Sequence, residues 1–150
     1  MNTYRYTPEK IVEEKLIFSI PLYQRLFSWG EEQVKGLLYD LKNHFDPDLD
    51  NGTPYYLGML SCIKSGNHYD LIDGQQRFTV MILLAIVLRN YYEKLNGFLD
   101  GGKRLRFMSR TKDNEYLTAV INRQVEILDP NRKMEDGKKI IFDFMASQFS

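Results

Sequence analysis

The junction at Asp73-Gly74 constrains the fold of this chain more than any other feature of the sequence. A strand-like segment, His68 to Ile72, ends at the junction, and a long apolar stretch that includes Phe78 to Leu88 follows it. This stretch is well short of the roughly 20 apolar residues that a membrane-spanning helix needs. We therefore predict a buried helix that begins almost directly after the glycine and continues to about Lys94.

Apolar periodicity and turn residues predict the other elements as well. Before the junction these are a strand at Leu16–Ile20, a helix that runs to about His44, and a strand at Tyr55–Ile63. After the junction they are a loop or hinge at Asn96–Lys103, a strand at Arg104–Met108, and helices at Asp113–Ile127 and Glu135–Phe149. A turn at Ser65-Gly66-Asn67 predicts a β-hairpin, and Ser28 with Glu31 predicts a capping box at the start of the first helix.

This order of elements predicts an α+β fold, in which a small mixed β-sheet with flanking helices is followed by a helical C-terminal extension. We place the domain that contains the sheet at residues 1–100 and the extension at residues 101–150. Apolar residues run to the C-terminus without a stop signal, so we expect the extension to be truncated there.

Composition limits the classes of function that are open to the chain. Lys plus Arg and Asp plus Glu number 20 each, so net charge gives no overall attraction to DNA or to an anionic membrane. The single cysteine, Cys62, forms neither an internal disulfide nor a cysteine-based metal cluster. The polar N-terminus lacks the apolar core of a signal peptide. We expect a cytoplasmic protein without a membrane partner.

The loop Asp73-Gly74-Gln75-Gln76-Arg77 has the chemistry of an anion site. Backbone N–H groups at a helix N-terminus point outward and carry partial positive charge, which favours a phosphate. Gly74 allows an unusual backbone dihedral and a close approach of the ligand. Arg77 adds a cation that can hold two phosphate oxygens. On spacing alone, an ordinary turn with a solvent-facing arginine explains the loop equally well.

The neighbouring side chains extend this prediction. Gln75 and Gln76 offer amide groups and Thr79 offers a hydroxyl, while Asp73 is placed to hold Mg²⁺, through water, or to orient an attacking water. An amide-rich, basic first turn is unusual where acidic residues are ordinarily favoured.

Upstream, Gln24-Arg25 repeats the pairing of a glutamine with an arginine after a strand. We expect the two pairs to converge on one chain of phosphates. An exposed surface ion pair is the alternative for Arg25.

Three segments together resemble a known family. They are Ile20-Pro21-Leu22-Tyr23-Gln24-Arg25-Leu26-Phe27-Ser28-Trp29, Tyr56-Leu57-Gly58, and Ile72-Asp73-Gly74-Gln75-Gln76-Arg77-Phe78-Thr79. Their order is similar to that in the N-terminal domain of GmrSD-type restriction endonucleases, whose fold is similar to that of ParB and sulfiredoxin. The resemblance covers roughly residues 10 to 95, and residues after about 100 match only loosely.

The resemblance implies a module that binds and hydrolyses a nucleoside triphosphate in defence against phage DNA with modified bases. It implies a nuclease in a separate C-terminal domain, often of the His-Asn-His type. The only histidines, His44 and His68, lie in unrelated contexts, so we assign no nuclease site here. The family often has Leu-Thr-Thr after the arginine, whereas this chain has Phe78-Thr79-Val80, which removes one hydroxyl.

The candidate site therefore combines catalytic and phosphate-binding residues. The catalytic candidates are Asp73, Gln76 and Arg77, with Asp73 also the Mg²⁺ candidate. The phosphate-binding candidates are Gln24, Arg25, Gly74, Gln75, Arg77 and Thr79. GTP, ATP and CTP are not distinguished, DNA is expected to bind through the full-length protein, and a homo-oligomer is an open expectation. The competing hypotheses are a binding switch without turnover and a purely structural domain.

Two other features have competing interpretations. Trp29 could stack a base, but we favour core packing. Lys103-Arg104-Leu105-Arg106, with Arg110 and Lys112, is the most basic cluster. It could contact phosphates, but we favour a solvated charged face.

Overall fold

A computed structural model of the chain describes residues 6–21, 27–44, 58–124, 126–127 and 130–149. Four strands form one mixed sheet in the order β2-β3-β1-β4. They are β1 (Phe18–Ile20), β2 (Ser61–Ser65), β3 (His68–Asp73) and β4 (Leu105–Phe107). β2 and β3 form the predicted antiparallel hairpin, and β1 lies parallel to both β3 and β4.

Besides a short 3₁₀ helix at Asp100–Gly102, the sheet is accompanied in the described part of the chain by six α-helices. They are α1 (Pro8–Glu13), α2 (Glu31–His44), α3 (Gln75–Leu88), α4 (Leu95–Leu99), α5 (Thr111–Ile121) and α6 (Arg132–Phe149). This arrangement confirms the α+β class, the small mixed sheet and the helical C-terminal part. None of the described helices is long and apolar enough to cross a membrane.

The apolar helix α3 is buried as predicted and lies at the centre of the hydrophobic core. The Phe78 ring is 4.8 Å from that of Phe18 on β1 and 6.2 Å from that of Phe98 on α4, measured between ring centres. Val80, Ile82 and Leu83 are almost completely inaccessible to solvent. The contact between Phe78 and Phe18 packs the first turns of α3 against the sheet and so positions the loop at its N-terminus.

Several predicted boundaries are wrong. α3 ends at Leu88 rather than near Lys94, because its apolar pattern stops there and Tyr91 and Tyr92 are exposed. The glycine-rich region predicted as a loop contains α4, whose Phe98 and Leu99 are buried in the core. α5 ends at Ile121 rather than Ile127.

The predicted capping box at Ser28 is also wrong. α2 begins at Glu31, and the Gln33 side chain accepts a hydrogen bond from the Gly30 backbone N–H (3.0 Å). The cap is therefore shifted by two residues, and Ser28 belongs to the segment that precedes the helix.

The outer edge of β4 is sealed by a side chain. The Asn114 amide oxygen accepts a hydrogen bond from the Phe107 N–H, and its amide nitrogen donates to the Phe107 carbonyl, both at 2.8 Å. Asn114 thus takes the place that a further strand would occupy.

The division of the chain at residue 100 stays a prediction, although β4, which follows that point, pairs with β1.

Candidate functional site at the carboxyl edge of the sheet

The carboxyl ends of β1, β3 and β4 lie at one edge of the sheet, because these three strands are parallel. The chain passes from central β1 to β3 on one side and then to β4 on the other. Ligands of open α/β sheets bind at the carboxyl edge where the strand order reverses in this way. The predicted loop leaves β3 at this edge, and the segment Ile20-Pro21 leaves β1 beside it.

Gly74 forms the tight turn between β3 and α3. Its φ of 87° lies in the left-handed region, which side chains disfavour. A Cβ atom at this position would collide with Leu60 and lie 3.0 Å from the Met59 carbonyl oxygen. The turn therefore requires glycine for its dihedral and for the close passage of residues 59–60.

Arg77 lies in the first turn of α3 and is exposed. Its guanidinium packs over Gly58, where an added Cβ would collide with Nη1 and lie 3.1 Å from Cζ. Gly58 has a φ of 134°, which also disfavours a side chain. The glycine of the Tyr56-Leu57-Gly58 motif therefore makes room for the arginine of the loop. This role of Gly58 could not be predicted from the motif alone.

Gln76 is buried, with 8% of its surface exposed. Its Oε1 accepts hydrogen bonds from the backbone N–H groups of Ser28 (2.8 Å) and Trp29 (3.2 Å). The second glutamine of the loop thereby ties α3 to the segment before α2. The catalytic role of Gln76 stays a prediction. In the structure, its side-chain oxygen positions the loop relative to the segment before α2.

Gln75 and Thr79 also make contacts that shape the loop. The Gln75 amide nitrogen donates to the carbonyl oxygens of Ile72 (2.9 Å) and Leu71 (3.3 Å) at the end of β3. The Thr79 hydroxyl is buried and donates to the Gln75 carbonyl (2.8 Å). Their predicted phosphate contacts stay predictions.

Asp73 is exposed, and its Oδ1 accepts a hydrogen bond from the Gly74 N–H (2.8 Å). Within the described ranges, no group of three His, Cys, Asp or Glu side chains could hold a metal ion. A single carboxylate nevertheless fits Mg²⁺, which proteins commonly hold through one or two carboxylates together with water and substrate phosphates.

Gln24 and Arg25 lie outside the described residues, so their predicted convergence with Arg77 stays a prediction. The segment that contains them is flanked by described residues at both ends. Pro21 follows β1 at the carboxyl edge, and the buried Phe27 precedes the residues that bond to Gln76.

The basic cluster after residue 102 is not simply a solvated face. Arg104 is buried, and its guanidinium donates to the carbonyl oxygens of Phe98 (2.9 Å), Gly97 (3.3 Å) and Leu16. Burial lowers the pKa of Arg104. These bonds connect α4 to the segment that precedes β1. Trp29 packs against the core, as favoured from the sequence.

Comparison with known proteins identifies the family. The family model described as the N-terminal domain of GmrSD restriction endonuclease matches residues 8–147, which extends beyond the region covered by the motifs. A search of curated proteins finds no match to the chain. Because the family model covers nearly the whole chain, the chain belongs to the GmrSD restriction endonuclease N-terminal domains and is a domain of a restriction system.

Proposed function

We propose that this domain binds a nucleoside triphosphate at the carboxyl edge of its sheet and hydrolyses it with Mg²⁺. Hydrolysis would regulate the cleavage of DNA, phage DNA included, by a nuclease domain of the parent protein. Arg77 and the N-terminal end of α3 would hold the phosphates, and Asp73 would serve the metal or orient water.

The position of Arg77 is the observation that carries this proposal. Its exposed guanidinium lies at the positive end of a helix of 14 residues, and the first turn of that helix contains no acidic residue. Helix dipole and side chain therefore contribute charge of the same sign at one place. A phosphate would neutralise both, since helix N-termini and arginine side chains are the usual partners of phosphate oxygens.

Asp73 supports the hydrolytic part of the proposal. One of its oxygens fixes the Gly74 turn, while the carboxylate remains exposed at the edge where the phosphates would bind. Mg²⁺ supplies charge neutralisation to the transferring phosphoryl group when it is bound. The carboxylate would hold the ion or direct a water toward the terminal phosphate.

The second arginine adds support through chain connectivity. Arg25 precedes Ser28 by three residues, which limits the separation of their Cα atoms to about 10 Å. Ser28 in turn donates its backbone N–H to Gln76, beside Arg77 in the loop. This short tether favours the participation of Gln24 and Arg25 in the same site.

Binding and turnover should be measured separately. Equilibrium dialysis with GTP, ATP and CTP in the presence of Mg²⁺ measures binding, and release of inorganic phosphate measures hydrolysis. Arg77→Ala should abolish binding. Arg132→Ala is the matched control, because Arg132 is an exposed arginine in the first turn of a different helix, α6. Asp73→Asn keeps an oxygen for the Gly74 N–H, so it should bind nucleotide but release phosphate at least about tenfold more slowly.

Failure to bind any of the three nucleotides would overturn the proposal. Thermal unfolding provides a second test of binding. A nucleotide that binds should raise the unfolding temperature, since a ligand that binds only the folded state must stabilise it. An equal loss of binding in Arg132→Ala and Arg77→Ala would likewise remove the role assigned to the loop.

A switch without turnover is the second candidate, favoured by the contacts of Gln76. Its amide oxygen, which would orient an attacking water, already accepts two backbone hydrogen bonds. Bound nucleotide without phosphate release would establish this alternative, whereas release that depends on Asp73 would exclude it.

A further inference from the structure

A groove of about 420 Å³ opens between the C-terminal ends of α3 and α5 and one side of α6. Apolar side chains, including Ile86, Val120 and Phe142, form much of its lining. Its charged lining consists of Arg89, Arg123, Lys138 and Lys139, and no acidic residue lines it within the described part of the chain. Arg77 lies at the other end of α3, about 18 Å away along the helix axis.

The backbone of Arg123 adopts a conformation that favours glycine. α5 ends in a Schellman motif, in which the Arg123 N–H bonds to the Val120 carbonyl (3.1 Å) and the Gln124 N–H to the Ala119 carbonyl (2.9 Å). The residue at this position is usually glycine, but here it is an arginine with a φ of 59°. The chain thus has a cation beside the groove at a position where the backbone favours glycine.

The Arg123 side chain remains at the mouth of the groove. Its Nη1 donates to Asn90 Oδ1 (2.9 Å), and Asn90 also lines the groove. A short contact with a neutral amide leaves the full positive charge of the guanidinium facing solvent, since the amide carries no neutralising charge.

Arg89 contributes a second, fixed cation. Only 6% of its surface is exposed, and it donates to the carbonyl oxygens of Ile121 (2.5 Å) and Val120 (3.0 Å) at the end of α5. Burial and the nearby charge of Arg123 lower the pKa of Arg89. The two arginines repel one another. An anion bound on the solvent side of the pair would reduce that repulsion.

The two lysines complete the basic lining. Lys139 pairs with Asp143 (2.8 Å) and Lys138 with Glu135 (3.3 Å). Surface pairs of this kind contribute little and exchange readily, so both lysines can turn toward a more highly charged partner.

We propose that this groove binds single-stranded DNA, with phosphates on Arg123 and the two lysines and a base stacked on Phe142. Phe142 is 60% exposed, and an exposed aromatic ring beside cations is the usual platform for an unpaired base. A duplex has no unstacked base to place on the apolar lining. The cations lie just after the C-terminal ends of α3 and α5 and along α6, around an open groove, which suits a passing phosphodiester chain better than a single triphosphate.

The experiment uses the full chain and a fluorescein-labelled oligo(dT) strand, with binding followed by anisotropy over a series of salt concentrations. Arg123→Gly removes one cation but supplies the residue that the backbone favours. It should weaken binding by at least about threefold and reduce the salt slope by about 0.7, the value of one single-strand phosphate contact. Its urea midpoint should rise. Phe142→Ala should weaken binding by at least about fivefold and leave the salt slope unchanged.

Lys15→Gly is the matched control, because Lys15 is an exposed cation with a φ of 54° that does not line the groove. It should gain stability without losing affinity. The proposal is overturned if wild type does not bind the strand, or if the Arg123 and Phe142 variants both bind as tightly as wild type. It is also overturned if duplex or free nucleoside triphosphate displaces the labelled strand as effectively as unlabelled oligo(dT) at the same nucleotide concentration. These results do not depend on nucleotide binding at the carboxyl edge.

Discussion

The side-chain oxygen of Gln76, in the first turn of α3, accepts a hydrogen bond from the backbone N–H of Trp29, 47 residues earlier in the chain. The same oxygen accepts a second hydrogen bond from the backbone N–H of Ser28, the residue before Trp29. One buried amide thus holds together two of the three family motifs. Any displacement of the loop should change the position of the segment before α2.

Gln76→Met keeps the length of the side chain but removes the acceptor. Each lost bond contributes about 0.5–1.5 kcal/mol, so amide exchange in residues 27–30 should accelerate by roughly tenfold. Hydrogen–deuterium exchange measures this change, and Trp29 is the only tryptophan in the chain, so its emission gives a second readout. Gln75→Met is the control, because the Gln75 amide bonds to the end of β3. Equal acceleration in both variants would contradict the specific tie.

The contact between Arg77 and Gly58 gives a prediction about both stability and binding. Gly58→Ala would place a Cβ against the guanidinium and impose a strained φ. We expect a loss of about 1–3 kcal/mol in the free energy of unfolding, together with weaker binding of nucleotide. Urea denaturation and equilibrium dialysis measure the two effects.

Gly66→Ala separates strain from collision. Gly66 has a φ of 65°, but nothing lies within 4 Å of a Cβ added there. It should cost only about 1–2 kcal/mol and leave nucleotide affinity unchanged. If the two variants behave alike in both measurements, the Gly58–Arg77 contact has no role of its own.

The seal on the β4 edge predicts a large effect from a small change. Asn114→Asp keeps an acceptor for the Phe107 N–H but places a carboxylate against the Phe107 carbonyl, where Asn114 donated a hydrogen bond. Since Phe107 is buried, we expect a loss of about 1–3 kcal/mol. The measurement is urea denaturation, with Asn67→Asp in the exposed hairpin turn as the control for the change in charge. Comparable stability of the two variants would refute the seal.

Local patterns were sufficient to predict the class of the fold and the central junction. Periodicity, turn residues and the apolar stretch are properties of short segments, and they placed β3, the turn and the start of α3 correctly. The errors arise where contacts between residues that are distant in the sequence determine the local structure. α4 forms in a glycine-rich region because Phe98 and Leu99 are buried in the hydrophobic core, and other parts of the chain form that core.

The same distinction applies to the candidate site. The sequence indicated Asp73, Gly74 and Arg77 through their position at a helix start, and the structure places them together at the carboxyl edge. The sequence could not indicate that the Gln76 side chain turns inward, because its hydrogen-bond partners, Ser28 and Trp29, are distant along the chain. Nor could it show that Arg104, in a run of basic residues, is buried against carbonyl oxygens.

The Tyr116–Glu135 contact predicts how stability depends on alkaline pH. The Tyr116 hydroxyl donates to Glu135 Oε1 at 2.5 Å, and only 2% of Tyr116 is exposed. Burial, followed by the hydrogen bond and the negative charge of Glu135, raises the pKa of Tyr116. The folded state therefore keeps this proton after the unfolded chain has released it near pH 10.

Stability from this group is complete below about pH 10 and is lost as the pH rises further, by up to about 1.4 kcal/mol per pH unit. Tyr116→Phe should lose about 1–3 kcal/mol at pH 7, where the hydrogen bond to a carboxylate is intact. Above pH 10 its stability should fall less steeply than that of wild type, so the two curves converge. Urea denaturation from pH 7 to 11 measures this difference, with Tyr91→Phe as a control at a tyrosine that is 76% exposed. Parallel curves for wild type and Tyr116→Phe would show that the buried hydroxyl does not govern alkaline stability.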